Sequence, residues 1–268
     1  MTYPIKAVVF DWAGTMVDFG CLAPVEALLA AFAAEGVAIG GGEARRDMGR
    51  AKRDHVAALL ADPDVGPRWT AAKGRAPGPG DVDRIYATLE PLMIEAAARC
   101  AKLIPGAADT ARRLRELGVR IGSGTGYTRE MMAAILPEAA AQGYAPEIVV
   151  CAGETPSGRP APLMTWKALI AMDAWPARNC VKVDDAPVGI EEGRSAGCWT
   201  IGLSASGNGV GLSATELAAL PAADRAARVA KSEAALRAAG ADFVVESVAD
   251  IWPAFDAIAT KLTEEAAR

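Results

Sequence analysis

The chain has 268 residues, of which 51% are hydrophobic, so it is long enough for one large domain or for one domain with an insert. Its 28 basic and 33 acidic residues give a net charge of −5, which argues against nucleic acid as the main partner because phosphate backbones require clustered Lys and Arg. No long apolar run predicts a membrane span, no room remains for a signal peptide, and five scattered cysteines predict neither a zinc site nor disulfides, so we expect a cytoplasmic protein.

The first predicted element is a short strand that delivers a carboxylate into a tight loop. In FDWAGTMVD, residues 10–18, the apolar run Ala7–Phe10 ends at Asp11, and Gly14 follows three residues later. Many phosphate-handling enzymes have a second acid two residues after the first, where this chain has Ala13. Taken alone, Asp11 is explained equally well as a helix cap or a turn residue.

The next segment, residues 21–102, predicts helices and no strand. Amphipathic patterns cover 24–36, 44–62 and 82–103, and the stretch 73–81 reads as a loop. Such an insert between the first and second strands could cap a site and exclude water. We therefore predict a helical cap domain at 21–102 and an α/β core formed by 1–20 and 103–268.

Strands and helices alternate from residue 103 onward. Strands are predicted at 119–124, 147–152, 179–185, 199–203 and 242–247, and helices at 108–118, after the N-cap Thr128, at 162–172 and within 213–240. This alternation predicts a Rossmann-like parallel sheet with helices on both faces and right-handed crossovers. Ligands bind such sheets at the carboxyl ends of the strands, where Asp11, Thr125 and Asp185 are expected. The stretch 204–213 is predicted to be a flexible loop without clear chemistry.

Four features occur at predicted strand ends in a particular order. They are Asp11, the turn at 123–126, Arg159 in SGRPAP, and the pair Asp184 and Asp185. In this order they resemble the haloacid dehalogenase superfamily of phosphohydrolases, which places a cap where this chain has its helical insert. A carboxylate can attack phosphorus, N–H groups at a helix start can hold phosphate oxygens, an Arg can balance charge, and acids can hold Mg²⁺.

Each feature also has a purely structural explanation. Gly124 and Gly126 would serve the turn. Arg159 would be a solvated loop charge, and the pair Asp184 and Asp185 would cap the helix that follows. Their joint occurrence in the right order favours the superfamily.

Ala13 indicates a leaving group that needs no proton. In the phosphatases and mutases of the superfamily, the second Asp protonates the departing alcohol oxygen. The leaving carbon of a phosphonate has no lone pair to protonate. If that carbon lies next to an aldehyde, an amine can form a Schiff base that accepts the electrons of the C–P bond.

The cap segment DMGRAKRDHV, residues 47–56, supplies such an amine in Lys52. Met48 and His55 are predicted to share a helix face with Lys52, and His55, the only histidine, is a candidate proton carrier. The neighbouring Arg50 and Arg53, together with burial, are expected to lower the lysine pKa. Lysines on helices are more often solvated, and a lone histidine is more often structural.

Several segments resemble one family within the superfamily, the phosphonatases or phosphonoacetaldehyde hydrolases. These segments are FDWAGTMVDFGCLAP, MGRAKRDHV, GTGYTREMM and GRPAP. The resemblance implies Mg²⁺-dependent hydrolysis of phosphonoacetaldehyde to acetaldehyde and phosphate, in 2-aminoethylphosphonate degradation, by a homodimer formed through the cap. It implies that Asp11 is the nucleophile and that Lys52 forms the imine. The Mg²⁺ ligands would be Asp185 and the carbonyl of Ala13. The phosphoryl group would be bound by Thr125, Gly126 and Arg159, and the substrate region would be lined by His55, Met48, Cys21 and Tyr127.

The chain departs from the family pattern at two adjacent acids. Many relatives have Gly-Asp with a further Asp four residues on, whereas here Asp184 replaces the glycine and Gly189 replaces the later acid. Asp184 could supply the missing charge through a water or through a hydrogen bond to a metal ligand, which makes it an alternative metal ligand to Asp185. Cys21 is either a substrate-side residue or a small apolar filler.

Two other functions stay open from the sequence. One is a different enzyme of the superfamily, such as a sugar-phosphate phosphatase or mutase, in which Lys52 only binds substrate. The other is a non-catalytic phospholigand-binding protein. Ala13 argues against the first, and the presence of Asp11, Lys52 and Asp185 together argues against the second.

Overall fold

The computed structural model describes residues 3–267, which fold around a six-stranded sheet. All pairings are parallel, and the strand order is β3-β2-β1-β4-β5-β6. The strands are β1 Ala7–Phe10, β2 Arg120–Gly124, β3 Ile148–Val150, β4 Cys180–Asp184, β5 Trp199–Leu203 and β6 Phe243–Val245. The predicted α/β class and Rossmann-like sheet are confirmed.

The helices of the described residues fall into two groups. Six of them lie between β1 and β2, and we call the first five the cap helices: α1 Ala23–Ala34, α2 Gly41–Arg45, α3 Lys52–Ala61, α4 Val65–Lys73 and α5 Pro79–Arg99. The others flank the sheet: α6 Ala107–Glu116, α7 Arg129–Ala141, α8 Leu163–Ala171, α9 Pro187–Ala196, α10 Ala214–Ala219, α11 Ala222–Ala238 and α12 Trp252–Ala266. No helix in 3–267 is long and apolar enough to cross a membrane.

Strand β1 is buried on both faces because helices cover both sides of the sheet. Val8 and Phe10 belong to the larger core cluster, whereas Ala7 and Val9 belong to a second cluster on the opposite face. This burial explains why the strand is a continuous apolar run rather than an alternating one. Because β1 lies between β2 and β4, the chain after β1 emerges at the point where the connections diverge to the two halves of the sheet.

The predicted helix over 44–62 is wrong. Helix α2 ends at Arg45, a turn follows, and α3 begins at Lys52. Gly49 has a φ of +94°, a left-handed conformation that interrupts the helix. Lys52 and His55 therefore share α3, but Met48 reaches Lys52 from the preceding turn rather than along the same helix.

Smaller differences affect two other segments. The predicted loop at 73–81 is shorter, because α4 extends to Lys73 and α5 already begins at Pro79. The helical region within 213–240 is divided by Pro221 into α10 and α11. The N-cap prediction for α7 is confirmed, since the Thr128 hydroxyl accepts a hydrogen bond from the Met131 N–H.

Candidate active site

Three buried carboxylates meet at the carboxyl ends of the two central strands. Asp11 follows β1, Asp184 ends β4, and Asp185 comes next; their oxygens lie within 4.8 Å of one another. Burial, and then the charge of Asp184, raises the pKa of Asp11 to about 6. Burial, followed by the charges of Asp11 and Asp184, raises the pKa of Asp185 well above its usual range. Such a cluster of oxygen ligands, costly to ionise without a counter-charge, fits a hard divalent cation.

Arg159 is the cation at the centre of this cluster. It is buried and donates from Nη1 to Asp11 Oδ1 at 2.8 Å, from Nη2 to the Gly124 carbonyl at 2.8 Å, and from Nε to Glu192 Oε2 at 2.8 Å. A further contact of 3.3 Å reaches the carbonyl of Gly49 in the cap. The explanation of Arg159 as a solvated loop charge is therefore wrong, since the side chain joins the core acids to the cap.

Asp184 faces cations and occupies space that Gly189 leaves free. Its Oδ2 lies 3.0 Å from Lys182 Nζ and 3.5 Å from Arg159 Nη2. A Cβ on Gly189 would lie 2.0 Å from the same oxygen. A carboxylate at 184 and a side chain at 189 therefore exclude each other. The carboxylate of Asp184 occupies the space that a side chain at position 189 would fill.

Asp185 is held by neutral donors. Thr15 donates its hydroxyl to Oδ1 at 3.2 Å, and the N–H of Asn208 donates to Oδ2 at 2.7 Å. Gly14 and Gly207 pack so closely on this side chain that a Cβ on either would lie within 2.5 Å of Asp185 Oδ2. Unlike Asp184, Asp185 forms no ion pair with any cation in residues 3–267. Its negative charge is therefore available to a metal ion.

Lys52 approaches the core from the first residue of α3. Its side chain is buried; Nζ lies 3.8 Å from Met48 Sδ and 5.4 Å from the centroid of the Tyr127 ring. Burial lowers the pKa of Lys52, and the charge of Arg159 acts in the same direction against the nearby acids. Arg50 and Arg53 were also expected to lower the pKa of Lys52. Their exposed side chains instead pair with Asp47 and Asp83.

A cavity of about 20 Å³ separates Lys52 from the carboxylates, room for about one water molecule. It is lined by Asp11, Ala13, Cys21, Pro24, Met48, Gly49, Lys52, Thr125, Gly126, Tyr127, Asp185 and Ala186. The structure thus brings most of the predicted site residues to one enclosed space. Arg159 and Asp184 lie behind its wall, in contact with each other.

His55 lies deeper in the cap than the cavity wall. It is fully buried, and burial, followed by the charge of Lys52, lowers its pKa to about 3. The imidazole is therefore neutral near neutral pH. Its role as a proton carrier stays a prediction, in which it would start as a base.

The cap packs directly against the turn at 123–126. A Cβ on Gly126 would lie 2.5 Å from the Arg50 carbonyl, and a Cβ on Gly49 would lie 2.7 Å from Val188. The Tyr127 N–H donates to the Thr125 hydroxyl at 3.1 Å, which fixes the turn. Gly126 therefore allows the cap and core backbones to touch at the edge of the cavity, and Gly49 allows the cap backbone to pack on the Val188 side chain.

Several residues that build the site are not among those predicted from the sequence. Lys182 and Glu192 form buried ion pairs behind Asp184, and Asn208 and Ser206 belong to the loop predicted to lack chemistry. A lysine inside the apolar run of NCVKVDD was a usable signal for the first pair, because buried lysines require a partner. The glycine-rich loop carried no comparable signal.

Comparison with known proteins agrees with this geometry. A family model described as haloacid dehalogenase-like hydrolase matches residues 5–197. The chain is 48% identical over 249 residues to a phosphonoacetaldehyde hydrolase of Paraburkholderia phytofirmans, with 93% of each chain covered. It is 44% identical over 259 residues to one of Nitratidesulfovibrio vulgaris, covering 97% of this chain and 92% of that one.

Two solved structures resemble this chain in their fold. A phosphonoacetaldehyde hydrolase-like protein from Oleispira antarctica superposes with a TM-score of 0.96 at 37% identity, covering 97% of this chain and 95% of that chain. A beta-phosphoglucomutase from Clostridium difficile superposes with a TM-score of 0.63 at 15% identity, covering 98% and 100%. The second likeness concerns the fold alone.

Proposed function

Because the chain belongs to the haloacid dehalogenase-like hydrolases and, within them, to the phosphonoacetaldehyde hydrolase family, we propose that it hydrolyses the C–P bond of phosphonoacetaldehyde to acetaldehyde and phosphate. One observation carries the proposal: Lys52 from the cap and Asp11 from the core line the same cavity, with Ala13 in the place of the usual acid. An amine and a carboxylate on opposite sides suit a substrate with an aldehyde at one end and phosphorus at the other.

Mg²⁺ is the proposed cofactor. Asp11, Asp185 and the backbone carbonyl of Ala13 would hold it, and Asp184 would add negative charge from behind while it stays paired with Lys182. When bound, the ion neutralises charge on the phosphoryl oxygens and on the carboxylates.

Lys52 activates the carbon end of the substrate. Its lowered pKa leaves a larger share of free amine, which attacks the aldehyde and, with loss of one water, gives a protonated imine. His55, which is neutral and lies three residues after Lys52 on α3, would take up a proton during this step. Cys21, Met48 and Tyr127 surround the carbon end and keep water away from it.

Asp11 then attacks phosphorus. The electron pair of the C–P bond moves into the iminium, so that the leaving group departs as an enamine and no acid is needed at position 13. Thr125 and Gly126 would hold the phosphoryl group during transfer, and Arg159 would balance its charge from behind the cavity wall. Protonation of the enamine at carbon and addition of water release acetaldehyde from Lys52, and a second water hydrolyses the aspartyl-phosphate.

The test follows acetaldehyde and phosphate together from purified protein, Mg²⁺ and phosphonoacetaldehyde. Equal release of both products is expected from the wild type. Asp11→Asn loses the nucleophile, and Lys52→Arg keeps the charge but cannot form an imine, so both should lower the rate by at least about 10³-fold. Lys73→Arg is the matched control, since Lys73 pairs with Glu35 in the cap, outside the cavity.

Borohydride makes the test specific for the imine. Reduction in the presence of substrate should attach the carbon fragment to Lys52 and inactivate the wild type, whereas Lys52→Arg should stay unlabelled. Undiminished C–P cleavage by Lys52→Arg would rule out the mechanism. Faster turnover of phosphate monoesters than of the phosphonate would assign the protein to a different activity of the superfamily, and binding without turnover would make it a phospholigand-binding protein.

The family resemblance also supports three further proposals. They are a place in 2-aminoethylphosphonate degradation, a cytoplasmic location, and a homodimer formed through the cap helices.

A further inference from the structure

Arg45, the last residue of α2, reaches from the cap into the core. Its Nη1 donates to the carbonyls of Gly20 and Cys21 at 2.9 and 3.3 Å and to Asn208 Oδ1 at 3.1 Å. Its Nη2 donates to the Gly211 carbonyl at 3.1 Å. One guanidinium thus joins a cap helix, the segment that leads into the cap, and a core loop between β5 and α10.

Asn208 returns the contact and extends it to the carboxylates. Its side-chain Nδ2 donates to the Arg45 carbonyl at 3.0 Å, so the two residues bond in both directions. Its backbone N–H donates to Asp185 Oδ2 at 2.7 Å. Asn208 is 8% exposed, which shields both bonds from competing water. A short, continuous path therefore runs from Arg45 in the cap to Asp185 in the core.

The loop that carries Asn208 is fitted closely between the cap and the carboxylates. Gly211 has a φ of +69°, and a Cβ there would lie 2.6 Å from Arg45 Nε. At the other end of the loop, Ser206 donates its hydroxyl to the Gly14 carbonyl at 2.9 Å and accepts at its own carbonyl from the Gly20 N–H at 2.7 Å. Displacement of Arg45 would therefore release several constraints on this loop at once.

The partners of Arg45 indicate positioning rather than simple charge pairing. All four acceptors are carbonyl oxygens, at fixed positions around the guanidinium fork. The adjacent Arg46 is different, because it pairs with the carboxylates of Asp62 and Asp64 inside the cap. The two arginines carry the same charge on the same helix end, but only Arg45 is bonded to the core.

We propose that Arg45 and Asn208 are positioning residues that couple closure of the cap to the placement of Asp185 as a metal ligand. The inference rests on the metal site of the proposed function. With the cap closed, the Arg45–Asn208 pair holds the N–H of Asn208 on Asp185 Oδ2 and fixes the carboxylate. Because coupling between two events is reciprocal, Mg²⁺ bound at Asp185 must in turn favour the closed cap.

The experiment measures Mg²⁺ affinity by calorimetry without substrate, in the wild type, Arg45→Lys, Arg45→Met, Asn208→Ala and the control Arg46→Met. Loss of a residue that orients a ligand typically weakens metal binding by about 10–100-fold. We expect a loss of this size for Arg45→Met and Asn208→Ala, a smaller loss for Arg45→Lys, and none for Arg46→Met. Combining Arg45→Met with Asn208→Ala should add little, since both act on one path.

Hydrogen exchange of the two connections between cap and core, residues 18–22 and 100–103, gives an independent readout. Mg²⁺ should slow exchange there in the wild type and in Arg46→Met, and the protection should shrink in the Arg45 and Asn208 variants. A variant that unfolds at lower temperature but keeps wild-type Mg²⁺ affinity and protection would overturn the inference. If the wild type itself binds no Mg²⁺, the proposed cofactor fails and the inference fails with it. If all variants bind Mg²⁺ normally, the inference fails while the cofactor assignment stands.

Discussion

At position 189, the absence of a side chain is dictated by another residue. Gly189 lies in the first turn of α9, and its missing Cβ would lie 2.0 Å from Asp184 Oδ2. Asp184 cannot easily move away, because Lys182 and Arg159 hold it on the buried side. The unusual order of acids in DDAPVG is therefore a structural pair, in which the carboxylate at 184 requires glycine at 189.

Replacing Gly189 by Ala should lower the free energy of unfolding by about 1–3 kcal/mol, the usual cost of overpacking a buried site. Chemical denaturation measures the change. Gly80→Ala is the control, because Gly80 lies in the first turn of α5 with nothing within 4 Å of its Cβ position. That substitution should be neutral or stabilising by up to about 1 kcal/mol.

Removal of the neighbouring carboxylate should relieve the cost. In a double-mutant cycle with Asp184→Gly, the alanine at 189 should destabilise the protein much less than it does beside Asp184. Simple additivity of the two substitutions would contradict the steric explanation.

At the scale of elements, the turn at 46–51 brings the cap to the core. Gly49 combines a φ of +94° with close approach to Val188, and its carbonyl accepts from Arg159 at 3.3 Å. The turn therefore sets both the start of α3, where Lys52 stands, and the seat of the cap on the core.

Gly49→Ala should lower kcat/KM by about 10-fold or more, because a shift of the turn misplaces Lys52 relative to Asp11. Gly74→Ala is the matched control. Gly74 also has a positive φ, +70°, at the end of α4, but nothing lies within 4 Å of its Cβ position. Both variants should lose stability from backbone strain, but only Gly49→Ala should lose activity. Equal kinetics of the two variants would separate the turn from catalysis.

The sequence predicts a strand or helix correctly where burial alone determines which residues are apolar. The runs at Ala7–Phe10 and Trp199–Leu203 are strands within the predicted limits, since each is apolar and bounded by turn residues. The helix over 44–62 was wrong because Met48, Lys52 and His55 have helical spacing whether or not Gly49 interrupts the chain. Asp11, Lys52 and Asp185 could be selected from local motifs, and the structure brings them to one cavity. Arg45 and Asn208 make contacts between distant segments, which no local pattern encodes.

At the scale of the whole molecule, closely packed buried acids make stability depend on metal and pH together. Burial raises the pKa of Asp11 and of Asp18 to about 6, and it raises the pKa of Asp185 well above its usual range. A carboxyl group whose folded pKa is raised contributes stability below its unfolded pKa, near 3.8, and loses it as the pH rises through the folded value. Near neutral pH, the metal-free fold therefore carries ionised acids at a cost.

Mg²⁺ should raise the unfolding temperature more at about pH 7.5 than at about pH 5, because at the lower pH protons compete for Asp11 and Asp185. Thermal unfolding with Mg²⁺ and with a chelator, at both pH values, measures the difference. His55, whose pKa is lowered to about 3, affects stability in the opposite sense, but it does so with and without metal and cancels in the comparison. Asp11→Asn should reduce the dependence on pH. An equal metal effect at both pH values would contradict the assignment of these carboxylates as ligands.

The placement of Lys52 in the cap and Asp11 in the core has a mechanical consequence for turnover. In the proposed reaction, the substrate is joined to Lys52 through carbon while Asp11 attacks its phosphorus. At that moment the substrate connects the cap to the core. The C–P bond is the only covalent link between the two ends of the substrate, and it breaks before either product leaves. Each half of the substrate stays with a different half of the enzyme, and the constraint on the cap ends with the chemistry itself. The catalytic step would thus also free the cap from the core. A substrate without the aldehyde could not form the imine with Lys52, so it would never connect the two parts.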